Sequence, residues 1–177
     1  MKRLFFIFSI PLLLFTCSSS DDADGSQNLS GTYVTAKVNG VDFFADSDLS
    51  AISAQLYEYN SIFGFGLAAV QYDGGNSAST IGIGLGGIDF DLVTDGFEVS
   101  GINQDFNVSG QYVTSTTGSS AGGASDEDAY IKITSIDKEN QVISGEFYFV
   151  AIDNDNPDIT YTVTNGIFND VSYVIEN

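Results

Sequence analysis

The fold is decided by residues 34–45, which read VTAKVNGVDFFA. Asn39-Gly40 is typical of a two-residue hairpin turn, because both central residues of that turn need a positive φ. Folding the chain there gives one apolar face, on which the paired residues are Val38 with Val41, Ala36 with Phe43 and Val34 with Ala45. The other face sets Lys37 opposite Asp42, a favourable pair of charges. A slip of one residue would turn the apolar set outward, so the sequence predicts this register.

A second hairpin is predicted at Gly86-Gly87. It would pair Leu85 with Ile88 across the turn and continue along alternating residues on both sides. The further pairs on its apolar face would be Ile83 with Phe90 and Ile81 with Leu92. Gly82 and Gly84 lie on the opposite face, where we expect them to leave room for an aromatic ring from a neighbouring strand.

The rest of the chain after residue 17 shows period-2 runs rich in Val, Ile, Thr, Tyr and Phe, which predict strands. Thr114 to Asp128 is polar and glycine-rich, which indicates a long loop. About ten short antiparallel strands in one domain predict an all-β fold, a β-sandwich with a barrel-like variant as the alternative. The further strands are expected at 51–58, 62–71, 107–114, 129–136, 142–151, 159–165 and 167–175.

The N-terminus has the features of an export signal. Lys2 and Arg3 are followed by an apolar run, 4–15, that is too short to span a bilayer, for which about 20 residues are needed. Leu14-Phe15-Thr16-Cys17 then resembles the lipobox of bacterial lipoproteins, which implies cleavage before Cys17 and lipid on that cysteine. Cys17 is the only cysteine of the chain, so no intramolecular disulfide is possible. We therefore expect a signal peptide at 1–16.

A flexible acidic tether is expected at 17–30, before a single β domain at 31–177. Directly after the cysteine come serines and aspartates, a composition that cannot form a core. This run resembles the surface-export signal of Bacteroidota lipoproteins, which implies an outer-membrane location facing the cell exterior. The residues of the run are Ser18, Ser19, Ser20, Asp21 and Asp22.

Charge excludes several partners. Removing 1–16 leaves three lysines against 24 acidic residues, a formal charge of −21. Such a surface repels nucleic-acid phosphates and anionic lipid headgroups, so no nucleic-acid partner is expected and the membrane contact should be the lipid anchor alone. A negative surface instead fits solubility, cations or a basic partner.

The absence of histidine excludes further chemistry. The chain has no His and no Trp, so neither a Ser-His-Asp triad nor an imidazole-ligated zinc site can form. Acylation of Cys17 would also remove the only thiol. Carboxylate chemistry, a Ser-Lys pair or oxygen-ligated cations remain. The sequence carries no catalytic motif, and we predict that the protein is not an enzyme.

Three segments together resemble a family of small Bacteroidota lipoproteins of unknown function. The opening strand reads TAKVNGVDF at 35–43, and the closing strands read ISGEFYF at 143–149 and TVTNGIF at 162–168. The resemblance covers both ends of the mature domain. It implies the fold and the location, and it brings no catalytic residues to transfer.

Two motifs have a functional and a plainer interpretation. Residues 82–87 match G-x-G-x-x-G, but a dinucleotide site needs this loop to open a helix, whereas the following residues alternate as in a strand. Tyrosines on strands can form a sugar-stacking surface, although tyrosines on β-strands are more often half-buried packing residues. The tyrosines in question are Tyr57, Tyr59, Tyr72 and Tyr112.

Calcium is the one cofactor that the sequence suggests. Asp153, Asp155 and Asp158 crowd three carboxylates into one loop, with the alternate spacing that oxygen-ligated calcium sites use. The full EF-hand pattern is absent, so we expect a solvated hairpin connection and no cofactor, with a calcium site as the alternative. Residues 126–128 form a weaker acidic cluster.

Three functions remain open from the sequence alone. The first is a non-enzymatic, surface-anchored module that binds or presents a protein or glycan partner. The second is a small carboxylate hydrolase acting on a glycan. The third is a structural subunit of an outer-membrane assembly.

Overall fold

The computed structural model describes residues 29–47, 52–72, 74, 77–114, 118–121 and 128–176. The described residues contain twelve strands and one 3₁₀ turn, Phe90–Leu92, joined by turns and loops. The strands are β1 Tyr33–Val38, β2 Val41–Asp46, β3 Ile52–Tyr59, β4 Ile62–Tyr72, β5 Ala78–Gly87, β6 Glu98–Ser100, β7 Phe106–Thr114, β8 Gly118–Ala121, β9 Ala129–Asp137, β10 Val142–Asp153, β11 Thr160–Ser172 and β12 Val174–Glu176.

The strands form two packed layers. The first layer has the order β12-β3-β4-β5-β7, and the second has the order β6-β9-β10-β11-β1-β2. Strand β8 pairs with both β7 and β10 and so joins the two layers. Among the described strands, all pairings are antiparallel except that of β12 with β3. The predicted all-β sandwich is confirmed, and the strand order runs from β12 to β2 without closing into a barrel.

The core lies between the layers because the long strands alternate buried apolar residues with more exposed small or polar residues. In the first layer β4 and β5 point Phe65, Leu67, Ile81 and Ile83 inward. From the second layer, buried apolar residues of β1, β9, β10 and β11 complete the same cluster. The layer contacts include β7 against β9 and β10, and β3 against β11.

The Asn39-Gly40 hairpin has the register that the sequence predicts. Val38 pairs with Val41, and the pairing continues to Val34 with Ala45. Lys37 Nζ lies 2.6 Å from Asp42 Oδ1 on the outer face. Asn39 has φ 50° and Gly40 has φ 83°, as such a turn requires.

The predicted hairpin at Gly86-Gly87 is wrong. β5 continues through Gly87, pairing with β4 on one side and β7 on the other, so no third strand can pair with it. The chain instead leaves the sheet at Asp89, whose carboxylate accepts a hydrogen bond from the Asp91 backbone N–H and caps the 3₁₀ turn. Phe90 then closes the end of the core against Phe63.

Two smaller predictions also need correction. Strand β11 runs unbroken from Thr160 to Ser172, whereas two strands were predicted there. The predicted loop between Thr114 and Asp128 contains strand β8. Of the described residues, none belongs to a helix that could cross a bilayer.

Candidate functional site

The outer face of the first layer carries a trough with a floor of backbone. In the middle of β4 the outward residues are Gly64, Gly66 and Ala68, and the outward residues of β5 beside them are glycines. The antiparallel register sets these small residues opposite one another in two neighbouring strands. The facing pairs are Gly64 with Gly86, Gly66 with Gly84 and Ala68 with Gly82.

The walls of the trough are polar and uncharged. Ser53, Gln55 and Tyr57 of β3 form one wall, and Ser109 and Gln111 of β7 form the other. The Tyr57 hydroxyl donates a hydrogen bond to Gln55 Oε1 at 2.8 Å. The trough has a volume of about 520 Å³. With three strand spacings from β3 to β7, its walls are about 14 Å apart.

The glycines of the floor fall into two groups. A Cβ at Gly82, Gly84 or Gly86 would meet the side chains of the β7 residues opposite, namely Gln111, Ser109 and Asn107. The expectation that Gly82 and Gly84 make room for an aromatic ring is therefore wrong. They instead allow polar side chains of β7 to lean over β5.

Neither packing among the described residues nor backbone conformation requires glycine at positions 64 and 66. A Cβ at either position would meet no atom of the described residues within 4 Å, and neither residue has a positive φ. Glycine in a strand interior lowers stability by roughly 0.5–1 kcal/mol relative to alanine. Such a glycine often marks a place where a ligand or another chain approaches the backbone closely. The open floor over these two residues is therefore the best candidate for a binding surface.

The candidate calcium loop is organised by its own backbone. Asp153 is buried, and its Oδ1 accepts hydrogen bonds from the backbone N–H groups of Asp155 at 2.9 Å and Asn156 at 3.0 Å. Asp155 and Asp158 are exposed. Over the described part of the chain, no three acidic side chains come together as a possible metal site. This geometry favours the expected hairpin connection over the calcium site.

The tyrosines divide between two environments. Tyr112 is half-buried and its ring centroid lies 5.0 Å from that of Tyr161, so the packing interpretation is confirmed there. It is wrong for Tyr57, Tyr59 and Tyr72, which are more than half exposed. Of these three, Tyr57 lines the trough.

Several predicted residues lie outside the described part of the chain. These are the lipidation site, the export run and two acidic residues of the weaker cluster, namely Cys17, Ser18, Ser19, Ser20, Asp21, Asp22, Asp126 and Glu127. The trough itself was missed by sequence reasoning. The period-2 glycines at 64–66 and 82–86 were visible as a signal, but only the β4–β5 register shows that they face each other.

The match to known proteins is at the level of a family. A domain of unknown function (DUF6252) matches residues 74–172, which is more than half of the chain. The matched segment includes the β5 half of the trough floor and the β7 wall. No curated protein and no solved structure matches the chain. The chain therefore belongs to the DUF6252 family.

Proposed function

We propose that the protein is a lipid-anchored, surface-exposed and non-enzymatic binding module that holds an extended, uncharged polysaccharide in its trough. The observation that carries the proposal is the open backbone at Gly66 in the trough floor and at Gly64 next to it, which neither packing among the described residues nor backbone conformation explains. A floor without side chains lets a long chain lie flat against the sheet.

The chemistry of the walls supports an uncharged, hydroxyl-rich ligand. Amide groups such as Gln55 and Gln111 both donate and accept hydrogen bonds, as do the serine hydroxyls, so they can pair with sugar hydroxyls in either sense. Tyr57 adds an exposed ring with an apolar face and a polar edge. No carboxylate or ammonium group is among the described lining residues, so the trough offers no partner for a charged ligand.

The same lining supports binding without catalysis. Hydrolysis of a glycosidic bond normally uses two carboxyl groups that flank the bond, about 5–10 Å apart. The described residues that line the trough supply hydroxyl and amide groups and no carboxyl group. For this reason we favour a binding module over the carboxylate hydrolase.

Membrane attachment rests on the sequence of the first 22 residues. The apolar run, the lipobox-like end at Cys17 and the serine-aspartate run support export, lipidation and display at the outer face of the outer membrane. Cys17→Ala should move the protein from the detergent phase to the aqueous phase in a phase-partition assay. Detergent partitioning of the variant would show that the anchor is elsewhere.

Binding in the trough is tested with a variant that places a large side chain on its floor. Gly66→Phe places a ring in open space, and we expect the variant to fold with unchanged or higher Tm. The probes are soluble uncharged polysaccharides, namely dextran, xylan, laminarin and starch, cast into native gels. We expect at least one of them to retard the wild-type domain, residues 18–177, and Gly66→Phe to abolish that retardation.

A matched variant separates filling from general damage. Ile152→Phe adds a ring on the outer face of the second layer, where Ile152 is half exposed, and it should leave retardation unchanged. Equal retardation of Gly66→Phe and wild type would rule out the trough as the site. Failure of every polysaccharide to retard the wild type would overturn the proposed ligand class.

A further inference from the structure

A second cleft lies on the outer face of the second layer, on the opposite side of the sandwich from the trough. It has a volume of about 350 Å³, and it is formed where β9, β10 and β11 run side by side. Its side walls are aromatic and aliphatic, and a carboxylate and an amide lie at its edge. The residues that carry the argument are Tyr130, Tyr148, Ile167, Glu146 and Asn165.

The aromatic wall is a pair of stacked tyrosines. Tyr130 and Tyr148 are directly paired across β9 and β10, and their rings lie 5.2 Å apart at an angle of 15°. The Tyr130 hydroxyl donates a hydrogen bond to Glu98 Oε2 at 3.0 Å. This bond and the stacking hold Tyr130 in place behind Tyr148, so the wall is ordered before any ligand arrives.

The floor of the cleft has no side chain, because the core packs directly beneath it. Gly166 lies over the buried ring of Phe147, and a Cβ at that position would collide with the ring. One residue earlier, Asn165 has φ 52° and belongs to the irregular part of β11 opposite Tyr148. The floor is therefore backbone, with Tyr148 on one side and the partly exposed Ile167 on the other.

The charged groups on this face give it a negative character. Glu146 lines the cleft itself, and Lys132 stands between Glu146 and Glu98 in the strand register. Two carboxylates and one ammonium leave an excess of one negative charge. The same field acts on Tyr130, whose pKa is raised to about 12 by partial burial first, then by its hydrogen bond to Glu98 and by the charges of Glu98 and Glu146.

We propose that this cleft binds an arginine or lysine side chain from a basic segment of a partner polypeptide. The aliphatic stem of such a side chain fits between Tyr148 and Ile167, and its cationic head reaches the Glu146 carboxylate. Exposed tyrosine faces attract cations, and arginine also stacks on them. The whole chain carries a net charge of −19, which draws basic segments towards the protein.

The two sites are independent. The trough offers uncharged hydrogen-bonding groups to an extended chain, whereas the cleft offers the Glu146 carboxylate and the Tyr148 ring, backed by Tyr130, to a single cationic side chain. Loss of binding at one site should leave the other unaffected. A domain with both could hold a polysaccharide on one face and a protein on the other.

The experiment uses a fluorescent capped peptide of alternating glycine and arginine, together with the same peptide in which citrulline replaces arginine. Citrulline keeps the shape of arginine and removes its charge. We expect the arginine peptide to bind the domain at low ionic strength and the citrulline peptide to bind at least about tenfold more weakly, the effect of losing a charge-assisted hydrogen bond. Fluorescence anisotropy gives both affinities.

Matched variants assign the binding to the cleft. Glu146→Gln and Glu139→Gln remove the same charge, the first in the cleft and the second in the exposed turn between β9 and β10. We expect Glu146→Gln to weaken arginine-peptide binding about tenfold and Glu139→Gln to change it less than about twofold, as a screened remote charge should. Tyr148→Ala should also weaken it, with an unchanged circular dichroism spectrum.

Three results would overturn the proposal. Equal weakening by Glu146→Gln and Glu139→Gln would mean that only the net charge of the domain attracts the peptide. Equal binding of the arginine and citrulline peptides would show that no cation is recognised. Retardation by a neutral polysaccharide that is lost in Tyr148→Ala but kept in Gly66→Phe would make the cleft a sugar site instead.

Discussion

The ring of Phe149 occupies the space directly over the Cα of Gly110, where any other residue would place its Cβ. Gly110 belongs to β7 and Phe149 to β10, so this contact fixes how closely the two layers approach. Phe149 is fully buried and belongs to the main core cluster. A side chain at position 110 must therefore displace the ring or separate the layers.

Gly110→Ala should lower the free energy of unfolding by about 1–3 kcal/mol, the usual cost of overfilling a packed core. For a domain of this size, Tm should fall by roughly 2–4 °C for each kcal/mol. Differential scanning calorimetry of residues 18–177 measures the change. Adding Phe149→Leu should recover part of the loss, because it makes room for the new methyl group.

Gly66→Ala is the matched control for this prediction, because its Cβ meets open space. It should leave Tm unchanged or raise it, as alanine does in place of strand glycine. An equal fall in Tm for both alanine variants would mean that Phe149 can move aside and that the contact does not fix the layer spacing.

The Asn39 side chain ties the first hairpin to β11. Its Nδ2 donates a hydrogen bond to the Thr160 carbonyl at 3.2 Å, and its Oδ1 accepts one from the Thr162 N–H at 2.8 Å. Asn39→Gly keeps the positive φ and loses both bonds, so the free energy of unfolding should fall by about 1–2 kcal/mol. Asn39→Ala adds left-handed backbone strain of about 1–2 kcal/mol.

Urea unfolding should therefore rank the proteins as wild type, then Asn39→Gly, then Asn39→Ala. Equal stability of wild type and Asn39→Gly would show that the two hydrogen bonds to β11 contribute nothing. Equal stability of the two variants would show that the φ at this position does not matter.

These two sites show what the sequence could and could not predict. The Asn39-Gly40 hairpin was predictable residue by residue, because its turn chemistry and both strands are contiguous. The contact of Gly110 with Phe149 was not, because it joins residues 39 positions apart through the packing of two layers. The alternation of apolar residues around Gly86-Gly87 predicted a hairpin that does not form. β5 already has β4 and β7 as partners, so the sheet has no free edge there.

The trough, too, could be predicted from the sequence only in part. The sequence shows small residues at every second position of β4 and β5, but a run of glycines has no meaning until the strands are paired. The walls come from β3 and β7, and the walls and floor together run from residue 53 to residue 111. The sequence also did not predict that this surface is uncharged, because the composition of the whole chain is strongly acidic.

The Tyr130 hydroxyl should lose its proton at a higher pH than an ordinary tyrosine does. Its pKa is about 12 in the folded protein against 10.0 for the free side chain. Because the folded value is the higher one, the contribution of Tyr130 to stability is present below pH 10 and is lost as the pH rises through 12. Burial also raises the pKa of Tyr173, so the wild type should show more than one late tyrosine in its phenolate absorbance at 295 nm, and Tyr130→Phe should remove the component near pH 12.

Glu98→Gln is the informative variant for this titration. It removes a negative charge and a carboxylate acceptor from the Tyr130 hydroxyl, so the pKa should move down towards 10. Glu139→Gln serves as the control and should leave the titration in place. An unchanged curve in Glu98→Gln would show that burial alone raises the pKa.

The Asp153 carboxylate caps the turn between β10 and β11, and this role competes with calcium binding. Its Oδ1 already accepts two backbone N–H bonds, whereas calcium needs six to eight oxygen ligands around it. We expect calcium and sodium at equal ionic strength to give the same melting curve. Asp153→Ala should lower the free energy of unfolding by about 1–3 kcal/mol, because it leaves two backbone donors without their acceptor.

The substitutions at 153 and 155 separate the two interpretations of this loop. Asp153→Asn retains a side-chain oxygen that can accept the same two bonds, so it should be less destabilising than Asp153→Ala. Asp155→Asn should have no effect on Tm, because Asp155 takes part in the turn through its backbone N–H. A calcium site would reverse this pattern: calcium would raise Tm above the sodium value, by about 2.7 kcal/mol of stability at a hundredfold excess over Kd, and Asp155→Asn would reduce that gain. Melting curves of the wild type and the three variants in both salts therefore decide whether the loop binds calcium or is only a capped turn.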